Sequence, residues 1–135
     1  MRAERFEKTR QAHRDETAED YVEAIAELIE RRGEARNTDL VEIMGVSHVT
    51  VSRIVRRLSG EGLVEFEPHR PIRLTEAGRA MAEASRKRHE VVLAFLRAIG
   101  VSKRQAEIDA EGIEHHVSDQ TIRALRRVTA RLGGG

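Results

Sequence analysis

The sequence contains no cysteine and no tryptophan, and only two prolines occur among its 135 residues. The absence of cysteine excludes a disulfide framework, a thiolate zinc site and a cysteine nucleophile. Aromatic residues make up only 3 % of the chain, which leaves little material to line a pocket for an organic ligand. No apolar run approaches the roughly 20 residues of a membrane-spanning helix, and the N-terminus lacks the apolar core of a signal peptide. We therefore expect a cytoplasmic protein with neither a membrane partner nor an organic ligand.

Charged residues, by contrast, make up 35 % of the chain. Together with many Ala, Leu, Ile and Val residues, they give the composition of a helix-rich protein. The length suits one domain, or two small domains that share a core. The 24 basic and 23 acidic residues nearly cancel to a net charge of +1. Any binding of nucleic acid must therefore depend on local clusters of Arg.

The first part of the chain contains one clear helical pattern. Residues 1–17 are mostly charged, and we expect them to form a frayed or weakly helical N-terminal arm. From Ala18 to Arg32 apolar residues recur with helical spacing, and Gly33 ends the pattern. The apolar stripe consists of Tyr21, Ile25, Leu28 and Ile29. Several carboxylates fall away from this stripe and must be solvated or face another body: Asp20, Glu23, Glu27 and Glu30.

The next segment has the pattern of two short helices joined by a tight turn. Asn37 is a suitable N-cap for the first helix, in which Leu40 and Met44 lie one turn apart. Gly45 favours a left-handed turn, and Ser47 is a suitable N-cap for the second helix. This arrangement is typical of a helix-turn-helix, although proteins that do not bind DNA contain it as well.

The second of these helices has one apolar face and one polar face. The apolar face is expected to be buried and consists of Val51, Ile54, Val55 and Leu58. The polar face has short side chains near its N-terminus and Arg further along, which suits contacts with base edges first and with phosphates second. We predict that DNA is contacted by residues of this helix and its cap, by one residue of the preceding helix and by one residue further along the chain. In chain order they are Thr38, Ser47, His48, Val49, Thr50, Ser52, Arg53, Arg56, Arg57 and Arg70.

Two short strands are predicted directly after this helix. Residues 63–67 and 72–75 have strand character around the tip Pro68–Pro71. A hairpin that follows a recognition helix is typical of a wing, which contacts the sugar-phosphate backbone or the minor groove, and Arg70 fits that role. An ordinary surface hairpin remains the alternative, because Pro71 makes the tip unusual.

Three further helices are predicted in the C-terminal half. Thr75 begins a long helix that runs to Ile99, Ser102 and Gln105 form a capping box for the next helix, and Ser118 caps the last one. The large apolar residues of these helices are too few for a separate core, so pairing with a second copy of the chain would complete it. The last helix contributes Ile122, Leu125, Val128 and Leu132.

The segment Asp109–His116 carries the strongest chemical pattern. In a helix, Glu111, Glu114 and His115 would lie at positions i, i+3 and i+4 and would share one face. Like charges in this arrangement repel by a few tenths of a kcal/mol, and a divalent cation is the simplest compensation. Carboxylates with one imidazole suit Mn(II) or Fe(II), whereas structural zinc calls for thiolates. A solvated acidic face is the alternative interpretation.

The order of these elements, together with several short motifs, resembles one known family. The motifs are Glu19-Asp-Tyr-Val-Glu23 in the first helix, Gly45-Val-Ser47 before the recognition helix, Leu74-Thr75 with Gly78 after the wing, Arg88-His89, and Asp109-Ala-Glu-Gly-Ile-Glu-His-His116. From residue 12 to the end, the chain resembles the manganese transport regulator (MntR) branch of the diphtheria-toxin-repressor family. The glutamate–histidine motif with Asp20 and Glu23 upstream is far more specific than a helix-turn-helix alone.

Members of that branch are homodimeric, Mn(II)-activated transcriptional repressors of metal-uptake genes that bind double-stranded operator DNA, and the resemblance implies the same function here. It implies a mainly α fold in which residues 1–75 form a winged helix-turn-helix domain of three helices and a two-stranded wing. Residues 76–135 would form a helical metal-binding and dimerisation domain, without the barrel domain of the larger iron-responsive members. The implied metal ligands are Asp20, Glu23, His89, Glu111, Glu114 and His115.

The resemblance also has consequences for metal choice and for two departures from the family pattern. Iron-responsive relatives have a thioether at the position of Asp20 and a thiol at that of Glu111, so the carboxylates here favour Mn(II). Leu93 replaces a carboxylate that many relatives carry one turn after the linking-helix histidine, and Glu90 is expected to point elsewhere, which leaves a second metal position in doubt. Pro71 stands where the wing tip often has Gly, so the path of the wing cannot be transferred.

Three alternatives remain open from the sequence. The first is an Fe(II)-responsive regulator of the same family. The second is a metalloenzyme, because two Glu with Glu-x-x-His resemble the ligands of carboxylate-bridged di-iron bundles. The motif has no second copy here, however, and we expect no enzymatic activity. The third is a winged-helix regulator that senses an organic ligand while its carboxylates are merely solvated.

Overall fold

The structure, a computed structural model, describes residues 2–133 as six helices and one two-stranded antiparallel sheet. The elements in chain order are α1 Arg2–Arg32, α2 Asn37–Met44, α3 His48–Gly60, β1 Val64–Glu65, β2 Arg73–Leu74, α4 Glu76–Ala98, α5 Lys103–Ile113 and α6 Asp119–Arg131. This confirms the predicted mainly α fold with a helix-turn-helix and a hairpin. The three glycines Gly133–Gly135 predict a disordered tail, and of these Gly134 and Gly135 lie outside the described residues.

The first helix is much longer than predicted. We expected a weakly helical arm before Ala18, whereas α1 is continuous from Arg2 to Arg32. The reason is that the first 32 residues contain neither Gly nor Pro and are rich in Ala, Glu and Arg, which favour helix without any tertiary contact. Periodicity detects only the part of a helix that is buried, so it missed the mostly exposed first turns.

The described chain separates into two compact units, one of residues 13–83 and the other of the residues up to Ala12 and from Ala84 onward. The first unit has an apolar core to which α1, α2, α3 and the hairpin contribute. The predicted stripes of α1 and α3 lie in this core, where Ile25, Val51, Val55 and Leu58 are completely buried. The domain boundary after Thr75 stays a prediction.

The turn between α2 and α3 has the predicted helix-turn-helix geometry. Gly45 is left-handed with φ of 65°, and the Ser47 hydroxyl accepts a hydrogen bond of 3.1 Å from the Thr50 amide. The predicted cap of α2 was one residue off, because the helix already includes Asn37. The carboxylate of Asp39 instead accepts a hydrogen bond from the Arg36 amide at 2.9 Å, and this fixes the start of α2 at the preceding residue.

The wing is a short hairpin in which Val64 pairs with Leu74 and Glu65 with Arg73. Its ladder is shorter than the predicted strands. Beyond it, Ile72 forms an isolated antiparallel bridge with Ala35, a contact from the α1–α2 connection that the local sequence pattern could not reveal. At the tip, His69 adopts a left-handed conformation with φ of 65°. His69, rather than Pro71, therefore occupies the position at which a glycine would be favoured.

The second unit has its own small apolar core, formed by Val92, Leu96, Ala106, Ala110 and Ile122. Ser102 and Ser118 cap α5 and α6 as predicted. The capping box at Ser102 is only half formed, because the Gln105 side chain donates to Asp109 at 2.8 Å instead of turning back to the helix start. Several large apolar side chains of this unit are exposed: Ile99, Ile108, Ile113, Val128 and Leu132.

Within residues 2–133, no helix is both long enough and apolar enough to cross a membrane.

Candidate metal centre and DNA-binding surface

Three of the predicted metal ligands converge within the second unit. His89 comes from α4, Glu111 from α5, and Glu114 from the residue that ends α5. The His89 Nδ1 atom lies 3.5 Å from Oε1 of Glu111 and 3.2 Å from Oε1 of Glu114. One candidate ligand atom from each of the three residues lies within 4.8 Å of the other two. We call this group the His89 cluster.

The two carboxylates of the His89 cluster differ greatly in exposure. The side chain of Glu114 is 1 % exposed, whereas that of Glu111 is 58 % exposed. Moving a carboxylate out of water costs several kcal/mol unless opposite charge or hydrogen bonds compensate. A cation beside the imidazole would supply that charge. The donor set of two carboxylate oxygens and one imidazole nitrogen therefore fits a divalent cation such as Mn(II) or Fe(II).

His115 lies beyond the end of α5, and this corrects the prediction that it continues a helical face. The helix ends at Ile113, and the amide of His116 bonds to the Ile113 carbonyl, which tightens the chain into a turn toward the cap of α6. Glu114 still has helical φ and ψ, so its spacing from Glu111 is preserved. The His115 side chain is 1 % exposed, and its Nε2 lies 3.8 Å from Oε1 of Glu114.

The other residues that the sequence suggested as ligands, or as positions for a second metal, lie outside the His89 cluster. Asp20 and Glu23 are half-buried on α1, in the unit of residues 13–83, and their role as ligands stays a prediction. Glu90 bonds to Arg86 at 2.5 Å, in line with the expectation that it points elsewhere. Leu93 packs against the apolar core of its unit and offers no donor atom. Neither Glu90 nor Leu93 therefore supports a second metal position.

The proposed DNA-reading residues are mostly exposed. On α3 and its cap, Ser47, His48, Arg53 and Arg56 are exposed, and Val49 is 79 % exposed. Thr38 at the start of α2 and Arg70 at the wing tip are exposed too. All of these residues belong to the unit of residues 13–83.

Several members of the predicted DNA-binding set already have partners within the protein. Thr50 and Ser52 are half-buried, and the Ser52 hydroxyl lies 3.5 Å from Nδ2 of Asn37. Arg57 is 31 % exposed, and its Nη2 donates to the Arg14 carbonyl of α1 at 3.1 Å. Its Nε lies 3.3 Å from Glu61 but lacks hydrogen-bond geometry. That Arg57 contacts a phosphate stays a prediction. Its hydrogen bond to the Arg14 carbonyl gives it a structural role as well.

The pKa of Tyr21, a residue of α1, is affected by the charges of two arginines on α3. Its hydroxyl is buried and has no hydrogen-bond partner among the described residues. Burial raises the pKa of the Tyr21 phenol above its usual value of 10.0, while Arg53 and Arg57 partly offset this effect. The sequence pattern placed Tyr21 only in the apolar stripe of α1. It predicted no role for Arg88, whose guanidinium bonds to the carbonyl of Glu114. The position of Arg88 directly before His89 was the available signal.

A helix-turn-helix with a wing, followed by helices that bring together one imidazole and two carboxylates, defines a class of protein: DNA-binding regulators that carry a candidate metal site. The chain belongs to the iron-dependent repressor family. Residues 15–72 match its N-terminal DNA binding domain, and residues 75–132 match its metal binding and dimerisation domain. This confirms the resemblance to the diphtheria-toxin-repressor family.

Individual relatives agree with this assignment. The transcriptional regulator MntR of Escherichia coli O157:H7 is 46 % identical over 130 residues, which cover 96 % of this chain and 84 % of that protein. The HTH-type transcriptional regulator MntR of Bacillus subtilis is 38 % identical over 104 residues, covering 77 % of this chain and 73 % of that protein. Both relatives carry the name MntR, which is the branch that the motifs indicated.

The fold also matches solved structures. A manganese-dependent transcriptional repressor in complex with manganese has a TM-score of 0.74 and 32 % identity, with 87 % of this chain and 53 % of that chain covered. The manganese regulator SloR has a TM-score of 0.73 and 31 % identity, with 84 % and 53 % covered. The chain therefore spans about half the length of these solved regulators. Membership of this repressor family makes the protein a DNA-binding transcriptional regulator and not an enzyme.

Proposed function

We propose that this protein is a Mn(II)-responsive repressor of metal-uptake genes, which binds operator DNA as a homodimer in the cytoplasm. The observation that carries the proposal is the His89 cluster, in which a nearly fully buried carboxylate and an exposed one converge on one imidazole. Burial of Glu114 has a physical reason if a cation neutralises it. The names of the relatives support the choice of manganese.

The chemistry of the donors supports Mn(II) over softer ions. Oxygen ligands suit Mn(II), whereas thioethers and thiolates select softer metals, and the chain has no cysteine at all. The proposed ligand set consists of Asp20, Glu23, His89, Glu111, Glu114 and His115. Among these, Asp20 and Glu111 are the positions at which the iron-responsive relatives carry sulfur, so their carboxylates are the proposed determinants of metal choice.

The proposed mechanism is a linkage between metal binding and DNA binding. The bound cation supplies the charge that offsets the carboxylates. With a cation bound, His89, Glu111 and Glu114 would be held in one arrangement, and the two recognition helices of the dimer would be held at a spacing that matches half-sites about one helical turn apart. The metal-free dimer would sample several spacings, so its operator affinity would be lower. Exposed apolar residues such as Ile108 and Leu132 supply material for a dimer contact.

The proposed function is tested by Mn(II) titration and by gel shift with DNA from upstream of candidate metal-uptake genes. We expect saturable Mn(II) binding and a DNA complex that forms only with Mn(II). Glu111→Ala should abolish both, because it removes an oxygen donor, while Glu107→Ala is the matched control, an exposed glutamate one turn earlier on the same helix. DNA binding that ignores Mn(II), or a Glu111→Ala variant that responds like the wild type, would contradict the proposal.

A second candidate, an Fe(II)-responsive regulator, is favoured by one observation: the matching family is described as iron dependent. The two candidates differ in a measurable way. Anaerobic competition between Mn(II) and Fe(II) for the same protein, followed by DNA binding with each metal alone, decides between them. We expect Mn(II) to activate at the lower free concentration, in line with the name of the manganese-dependent solved repressor.

A further inference from the structure

Arg88 lies directly before His89 in α4, and its guanidinium holds the turn that follows α5. Its Nε and Nη2 donate hydrogen bonds of 3.1 and 3.0 Å to the carbonyl oxygen of Glu114. Nη2 also donates to the carbonyl of Val117, and Nη1 donates to Oδ1 of Asp119 at 2.6 Å. One side chain therefore connects three residues of the segment 114–119, which links α5 to α6.

The chemistry of this contact requires arginine. The last carbonyls of a helix have no amide partner within the helix, and a cation near them also complements the helix dipole. All three nitrogens of the Arg88 guanidinium are used, and its side chain is only 22 % exposed. A lysine ammonium keeps the positive charge but lacks the planar fork that reaches several acceptors at once.

The segment held by Arg88 is the one that carries Glu114 and His115. The Glu114 carbonyl is fixed by Arg88, while the carboxylate of the same residue lies 3.2 Å from Nδ1 of His89. Adjacent residues of α4 thus contact the main chain and the side chain of one glutamate. Without the guanidinium, the turn after Ile113 would lose the bonds that determine where the Glu114 side chain points.

We propose that Arg88 is a positioning residue for the metal cluster, which fixes the main chain at Glu114 and Val117 and thereby preorganises the Glu114 carboxylate and the His115 imidazole for a cation. This inference rests on the proposed metal-dependent function. Loss of a group that orients a metal ligand typically lowers metal affinity about 10- to 100-fold. We expect Arg88→Lys to weaken Mn(II) binding by at least about tenfold on the same basis.

The test compares the full chain with Arg88→Lys and Arg97→Lys. Arg97 also donates to a main-chain carbonyl from α4, that of Val101 at 2.9 Å, and serves as the matched control. Free Mn(II) is counted by electron paramagnetic resonance during titration, and the melting temperature of each metal-free variant is recorded. A purely structural role would lower the Arg88→Lys melting temperature but leave its Mn(II) affinity like that of Arg97→Lys. That result would overturn the inference.

A measurement on the unmodified protein covers the case in which Arg88→Lys does not fold. In the metal-free wild type, the Arg88 Nε–H should exchange with water much more slowly than the Nε–H of Arg123, an exposed arginine on α6. Equal exchange rates would show that the contact is not formed before metal binds, and would overturn the inference as well. If the wild type itself binds no Mn(II), the proposed function fails. If only Arg88→Lys behaves like the control, the role of Arg88 alone fails.

Discussion

At the scale of single residues, the two carboxylates of the His89 cluster have different environments and therefore different expected roles. Glu114 is nearly fully buried, and Arg88 anchors its main chain. Glu111 is mostly exposed and can reorient at little cost. A rigid and a mobile oxygen donor on one imidazole would let the cluster close around an ion without a large rearrangement of the helices.

One of the two residues that determine metal choice in our proposal is Asp20. We expect Asp20→Met to lower the preference for Mn(II) relative to Co(II), because it replaces an oxygen donor with a softer thioether. Asp20→Asn, which keeps an oxygen at the same position, is the matched control and should preserve the order of affinities. The measurement is an anaerobic titration with Mn(II), Fe(II) and Co(II). An unchanged order in Asp20→Met would remove Asp20 from the ligand set.

Two neighbouring arginines of α3, Arg56 and Arg57, are expected to have different roles, the first in DNA contact and the second in stability. Arg56 is exposed, so Arg56→Ala should leave stability within about 0.5 kcal/mol and lower the salt slope of DNA binding by about one. Arg57 bonds to the Arg14 carbonyl, so Arg57→Ala should cost about 1–2 kcal/mol of stability. Urea unfolding and DNA affinity across a salt series measure the two effects. If Arg57→Ala is as stable as the wild type and lowers the salt slope of DNA binding, Arg57 contacts phosphate and has no structural role.

At the scale of elements, the packing of α4 against the wing depends on a missing side chain. A Cβ atom on Gly78 would lie 2.0 Å from the main-chain oxygen of Leu63. That oxygen cannot move away easily, because it also accepts hydrogen bonds of 3.1 Å from both the amide and the hydroxyl of Thr75. The first turn of α4 therefore approaches Leu63, the residue directly before β1, more closely than any residue except glycine allows.

We expect Gly78→Ala to destabilise the protein by about 2–3 kcal/mol, since overpacking against backbone forces the helix and the strand apart. Gly60→Ala is the control, because a Cβ there meets nothing within 4 Å. It should be neutral or slightly stabilising, by up to about 1 kcal/mol. Urea unfolding of the metal-free proteins, followed by circular dichroism, measures both. Equal stabilities of the two variants would mean that α4 and the wing are less closely packed than described.

At the scale of the whole molecule, metal and DNA are expected to influence each other reciprocally. If Mn(II) raises operator affinity by some factor, the operator must raise Mn(II) affinity by the same factor, because the two effects are one coupling free energy. For typical couplings that factor is about 5 to 150. Mn(II) titrations with operator, with scrambled DNA and without DNA provide the test. Scrambled DNA that raises Mn(II) affinity as much as operator DNA does would contradict a coupling through operator recognition.

Much of the fold was predictable because the relevant forces act locally. The stripe of α1, the Gly45 turn, and the caps Ser47 and Ser118 follow from helical periodicity and from side-chain hydrogen bonds within a few residues. The resemblance to the repressor family was likewise visible in short motifs. The length of α1 was missed because an exposed helix leaves no hydrophobic periodicity.

The sequence by itself determined the set of oxygen and imidazole donors and the absence of sulfur ligands other than methionine, because these depend only on residue identity. Tertiary structure decided which of them meet and how. It brought His89 to Glu114 across 25 positions of sequence, placed His115 beyond the helix end, and bonded Arg57 to the Arg14 carbonyl of α1. It also buried Glu114 while leaving Glu111 exposed. Such differences depend on which elements pack together, and no local pattern encodes that packing.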